Sequence, residues 1–270
     1  MTSLKDPFGN HGAMPQARRN LAKVVRQSPE IFRIDDVVET LAVSRTQATS
    51  LVSRWTRQGW LRRVGPGAYA AAPIGLLDNA LVLDDPWLLV PVLYSPAYVG
   101  GWSAAEYWDL TEQIFGAIVV MTMKSIRTNK QIHHGTQFVL RRIQEKRFYG
   151  LETVWRGSTK VCVSDIHRTI IDLLDTPSIG GGFQHVADCV SNYLHSEHRD
   201  DGVLINYAKH FENGAVVKRL GFLAEKESPS NELIEQCQNA LTAGNAKLDP
   251  SLECPKLISK WRLWVPSVWR

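Results

Sequence analysis

Residues 44–69, SRTQATSLVSRWTRQGWLRRVGPGAY, gather side chains that can touch a nucleic acid. Arg45, Thr46, Gln47, Thr49, Ser50, Arg54 and Arg57 carry positive charge or hydrogen-bonding groups, and no Asp or Glu stands among them. Such side chains read base edges and neutralise phosphates. Arg62 and Arg63 come just before Pro66-Gly67, where a β-turn would carry them to a phosphate backbone. Arg18 and Arg19 lie upstream, on a predicted helix whose wet face could meet phosphates as well.

The elements that must position these residues can be read from the same stretch. Ser44 is a good N-cap, and Gln47 three residues on completes a capping box. Ala48, Leu51, Val52 and Trp55 fall at i, i+3, i+4 and i+7, one apolar helical face. Gly59 ends this helix. Residues 60–64 then predict a strand and residues 68–71 its partner. Pro66-Gly67 suits the centre of a type II turn, since Pro fixes φ and Gly accepts φ > 0. Upstream, residues 16–28 predict a helix with Ala17, Leu21, Val24 and Val25 inward and Arg18, Arg19, Lys23 and Arg26 outward. Ile34, Val37, Val38 and Leu41 mark a second helix, with Asp35 or Asp36 as its cap, and Ala42-Val43 is the turn into Ser44. Three helices and a two-stranded wing make a winged helix-turn-helix, expected over residues 15–74.

The charge is distributed in the same sense. Of the 31 Lys/Arg, 11 lie in residues 1–73, against 5 of the 27 Asp/Glu, while the rest holds 20 basic and 22 acidic residues. The positive surplus therefore coincides with the motif, as in a nucleic-acid binder. A length of 270 residues predicts two modest domains. The four cysteines, Cys162, Cys189, Cys237 and Cys254, form no CxxC, so neither a zinc ribbon nor a disulfide framework is expected. Residues 1–14 read as a loose arm carrying Lys5, with no apolar run of the kind a secretion signal needs. Apolar stretches such as residues 87–94 are too short to span a membrane. The expected location is cytoplasmic.

Residues 75–270 predict an α/β domain, a mixed sheet flanked by helices, reached through a link at residues 72–85. Pro86 fits the start of a helix to Tyr94, broken by Ser95-Pro96, and a second helix covers residues 102–110. Strands are expected at 115–123 and 136–143. Residues 151–155 and 159–163 flank Arg156-Gly157-Ser158 as a hairpin. Ser164 caps a helix through Asp175 with Ile166, Ile170, Leu173 and Leu174 inward. Gly180-Gly181-Gly182 makes a sharp loop. Helices follow at 183–195, 202–212, 215–225 and 230–241, and residues 259–265 return to a strand.

The second domain offers few groupings that could do catalysis. Asp165, Asp172 and Asp175, with Glu225 further on, would be needed for a metal-dependent nuclease. Simpler roles suit them: Asp165 near a helix N-terminus, and Asp172 paired with Arg168 at i,i+4. His195 and His198 have no third metal ligand nearby. His133-His134 falls in a predicted polar loop. The glycine run lacks the Lys-Ser/Thr of a phosphate loop. No catalytic residue, metal or cofactor is expected, and the protein reads as a non-enzyme. Two rivals are a nuclease targeted by the winged helix, and a winged-helix regulator that senses a ligand.

Several segments resemble the AbiEi family, the antitoxins and autorepressors of AbiE abortive-infection (type IV) toxin–antitoxin systems. They are GWLRRVGPGAYAAAP, then YVGGWSAAEYWDLTEQ with FGAIVVMT, then VCVSDIHRTIIDLLDTPSIGGG, VKRLGFLAE, and LDPS with a Trp-rich final strand. In the third, Asp165, Arg168, Thr169, Asp172, Pro177 and Gly181-Gly182 match the family's pattern. Glu106-Tyr107-Trp108 departs from it, since the family more often has small and apolar residues before a His. The resemblance implies a bacterial phage-defence protein whose winged helix binds inverted repeats in its own promoter. It further implies that the C-terminal domain neutralises a nucleotidyltransferase-like toxin, in the best-known members without a stable complex. A monomer in solution that binds DNA cooperatively is the expected state.

Overall fold

The structure is a computed structural model, and it describes residues 15–72, 85–227 and 231–269. The predicted arm 1–14, nearly all of the predicted link and the Ser230 helix start lie outside the described residues. The chain divides into two compact units, residues 1–81 with 157–159, and residues 82–156 with 160–270.

In the first unit the order is α1 (Gln16–Gln27), β1 (Ile31–Arg33), α2 (Ile34–Leu41), α3 (Arg45–Arg57), β2 (Leu61–Gly65) and β3 (Ala68–Ala71). Val24, Phe32, Val37, Ala48, Val52, Trp55 and Leu61 form its core. This is a winged helix, built by burying one stripe of each helix against a small sheet. Three details differ from the sequence reading. The sheet has three strands in the order β1-β3-β2, because residues 31–33 pair antiparallel with β3. Val25 is exposed, and Ser28 takes the inward position one turn beyond Val24. The N-cap of α2 is Arg33 rather than an aspartate, and the Asp36 carboxylate accepts from the Arg33 amide at 2.6 Å.

The second unit begins with a 3-10 turn at Pro86–Leu88, α4 (Leu89–Tyr94), β4 (Ala97–Val99) and α5 (Gly101–Tyr107). Next come β5 (Ala117–Thr122), β6 (Lys130–His133), β7 (Thr136–Arg142), β8 (Leu151–Arg156) and β9 (Thr159–Ser164). They form a mixed six-stranded sheet in the order β6-β7-β5-β4-β9-β8. β5 runs parallel to β7, and β4 parallel to β9, whereas β4–β5 and β6–β7 are antiparallel. His133, expected in a loop, therefore closes a strand. The helices α6 (Ile166–Asp175), α7 (Phe183–His195), α8 (Asp201–His210), α9 (Gly214–Lys226) and α10 (Asn231–Asn239) follow.

Ile170, Leu173, Leu174, Val186, Val190, Leu204 and Leu220 pack these helices on one another. Ser164 belongs to the end of β9, and the cap of α6 is Asp165, which accepts from the Arg168 amide at 2.7 Å. A small sheet closes the domain, β10 (Ala246–Lys247), β11 (Lys256–Ile258) and β12 (Leu263–Val265), so the predicted strand 259–265 is a 3-10 turn before a shorter strand. Gly221 of α9 is required by close approach: a Cβ there would stand 2.0 Å from the Trp261 ring.

Candidate nucleic-acid interface

Helix α3 is fixed at both ends by its own sequence. The Gln47 amide donates to Ser44 Oγ at 3.2 Å, and the Ser44 amide donates to Gln47 Oε1 at 3.0 Å. This reciprocal box satisfies two amides that a helix start leaves without partners. At the other end Gly59, at φ +73°, lets the chain reverse. Before the helix, Ala42 takes φ +52° to end α2. That conformation is unusual for a residue with a Cβ, and here it makes the turn between α2 and α3.

Ala48, Val52 and Trp55 are buried, with Leu51 half-buried beside them. At about 100° per residue, Thr46, Ser50, Ser53 and Arg57 project opposite that stripe. All four are exposed, as are Arg45, Gln47, Thr49 and Arg54. The α3 side chains read from the sequence as DNA contacts thus share the outer surface of that helix. They are not equivalent. Gln47 spends its carbonyl on the cap, and Thr49 donates its hydroxyl to the Arg45 carbonyl at 2.8 Å. Arg45 lies at the margin of the face and donates from Nη1 to Asp35 Oδ1 of α2.

The wing turn keeps Gly67 at φ +68°, as a type II turn needs. Arg63 pairs with Tyr69 and Gly65 with Ala68, which leaves Val64 as an extra residue. This β-bulge breaks the two-residue alternation, so Leu61 and Val64 both point inward. Arg62 is half-buried and Arg63 exposed, with Arg63 Nε donating to the Gly65 carbonyl at 3.1 Å. On α1, Arg18 and Arg19 are exposed, and the Arg18 guanidinium stands 5.3 Å from the centre of the Trp60 ring. That contact fixes an arginine beside the first wing strand. Sequence reasoning missed it, and missed the Asp35 pair, because no helical or strand period links those positions.

The acids of the second domain are held in structural roles. Asp172 is fully buried and accepts from Arg168 Nε at 2.9 Å and from the Tyr98 hydroxyl at 2.9 Å. Burial pushes its carboxyl up, against the downward pull of those two partners. Arg168 Nη2 also donates to the Tyr98 hydroxyl at 2.9 Å. Burial and the Asp172 carboxylate raise that phenol well above its usual range. Asp165 caps α6 and accepts from the Tyr207 hydroxyl at 2.9 Å. Asp175 accepts from Arg141 at 2.9 Å and Asn213 at 2.7 Å.

Glu225 holds Lys260 and the Trp261 indole, and these two hydrogen bonds outweigh its burial and lower its pKa. His195 turns its Nδ1 onto the Ser191 carbonyl at 2.8 Å. Among the described residues no three His, Cys, Asp or Glu side chains gather as a metal ion would require. The cysteines are free: Cys189 and Cys237 are buried, and burial pushes each thiol up to about 12, whereas Cys162 and Cys254 are half-exposed. Among the described residues no helix is long and apolar enough to cross a membrane.

Comparison with known proteins bears on both units. No curated protein matches the chain. A solved structure, the crystal structure of the RV2827C protein from Mycobacterium tuberculosis, is similar with a TM-score of 0.60 at 14% identity. The match covers 95% of this chain and 94% of that one, so the two share a fold over nearly their whole lengths. Residues 19–72, from α1 through the wing, match the family model described as transcriptional regulator, AbiEi antitoxin. The winged-helix domain is thus similar to the AbiEi antitoxin family of transcriptional regulators.

Proposed function

We propose that this protein is a cytoplasmic, DNA-binding autorepressor and antitoxin, with no enzymatic activity of its own. Its winged helix binds inverted repeats in its own promoter. Its α/β domain neutralises a nucleotidyltransferase-like toxin of the same phage-defence system. The observation that carries the reading is the outer face of α3, which is exposed, free of acids and locked by the Ser44–Gln47 box. Arg45, Thr46, Gln47, Thr49 and Ser50 face bases or the groove wall. Arg54, Arg57, Arg62, Arg63, Arg18 and Arg19 meet phosphates. Two tests address the two halves. Purified protein titrated onto the duplex upstream of its own gene should bind far more tightly than to a scrambled duplex. Co-expression should restore growth to cells producing the nucleotidyltransferase-like protein encoded beside it. Equal binding to both duplexes, or no rescue by folded protein, would refute the corresponding half.

The arginines should divide by role. Arg can bind guanine O6 and N7 with two hydrogen bonds, whereas a phosphate contact carries no sequence information. Arg45→Ala should cost about 1–3 kcal/mol on the promoter duplex and little on scrambled DNA. Arg63→Ala should weaken both duplexes alike and lower the salt slope by about one unit. Titrations at several salt concentrations separate the two. A change of base preference in Arg63→Ala, with uniform weakening in Arg45→Ala, would make the wing the reader.

A further inference from the structure

α2 carries two acids in its first turn, Asp35 and Asp36, and they do different work. Asp36 closes the N-terminus of its own helix by accepting from the Arg33 amide. Asp35 stands outside that cap and instead accepts from Arg45 Nη1, ten residues on, at the opening of α3. Both side chains of the pair are 69% exposed, so solvent screens it and it adds little to folding. A weak pair at this place still has a consequence for DNA. The guanidinium has five N–H groups in a planar fork, and one carboxylate engages only part of it. The remaining edge stays available to a two-acceptor partner, and the carboxylate limits the orientations the fork can take. The same carboxylate repels phosphate oxygens, which any DNA presents, whereas the O6/N7 edge of guanine is a neutral acceptor pair.

We propose that Asp35 is a positioning residue for base reading: by pairing with Arg45 it aims the guanidinium at a base edge and keeps it from settling on phosphates. This rests on the DNA-binding reading of α3, and deepens it by naming a specificity determinant on the preceding helix. The pair contributes discrimination more than affinity. Removing the Asp35 charge releases Arg45 to meet phosphates on any duplex.

The experiment uses the full-length chain and two duplexes: one selected by the wild-type protein from a randomised library, and an unselected one of equal length. Asp35→Asn, Arg45→Ala and the double variant are compared, with circular dichroism and thermal melting to confirm equal folding. Asp35→Asn should bind the unselected duplex several-fold more tightly, with a salt slope steeper by about one unit. Its affinity for the selected duplex should change less, so the preference ratio falls, and reselection should show relaxed choice at one base pair. In the Arg45→Ala background the same substitution should leave the ratio unchanged, because there is no guanidinium to aim. If the wild type selects a sequence but Asp35→Asn shifts both affinities by one factor, with base choice intact, Asp35 is only a surface charge and the inference falls. If the wild type selects no sequence, the DNA-binding reading falls and takes the inference with it.

Discussion

Trp55→Ala is expected to unfold the winged-helix domain and abolish DNA binding in the full chain. Trp55 has 0% exposure and packs in one cluster with Val24, Phe32, Val37, Ala48, Val52 and Leu61. Removing a large buried aromatic costs about 3–5 kcal/mol, through lost transfer energy and the cavity left behind. A domain this small has only about 5 kcal/mol in hand. The indole Nε1 is buried and has no hydrogen-bond partner among the described residues. Trp55→Phe keeps most of the apolar contact and removes that unpartnered N–H, so it should keep the fold and most of the affinity. Limited proteolysis, with the released fragment identified by mass, reports on this domain separately from the other. An Ala variant that resists cleavage and binds normally would place Trp55 outside the load of the core.

The second large effect is expected at Arg168, in the other domain. Its side chain has 0% exposure and makes polar contacts with Asp172, Tyr98 and the Tyr149 carbonyl. Its guanidinium also stands 4.5 Å from the centre of the Tyr149 ring and 4.9 Å from that of Phe211. Desolvation opposes its charge, but Asp172 outweighs this and the group is held protonated. Arg168→Met should lower stability by about 3–5 kcal/mol, because it leaves the Asp172 carboxyl buried without its cation. Arg168→Met with Asp172→Leu should be less damaging than the single change, since no uncompensated acid remains. Urea unfolding followed by circular dichroism measures both. A double variant as unstable as the sum of the two singles would show that the pair is not coupled.

The reading of the first domain from its sequence rested on local signals. Ser44 and Gln47 sit three apart, the distance at which a helix start closes on itself. Ala48, Val52 and Trp55 repeat at the helical period, and Gly67 supplies the one backbone conformation the wing turn needs. The same kind of signal located α7 and the hairpin of β8 and β9, whose stabilising contacts also lie close along the chain. The α6 cap was misplaced by one residue because Ser164 and Asp165 are both good caps. Only β9 pairing, which extends the strand through Ser164, decides between them.

What the sequence could not determine are the pairings of short, distant segments. β1 and β4 are three residues each, too short to show an alternation, and each exists because a strand far along the chain offers it hydrogen bonds. β4 sits between β5 and β9, and this brings Tyr98 to Arg168 and Asp172 across 70 residues or more. The i,i+4 spacing alone predicted that Arg168 and Asp172 pair. That the pair is fully buried, and so supports the packing instead of facing a substrate, follows from the sheet order. The same holds for α3. Its sequence determined which residues face outward, while the turn at Ala42 decided that Asp35 of α2 would reach Arg45, because a contact between two helices depends on their crossing and not on either helix's period.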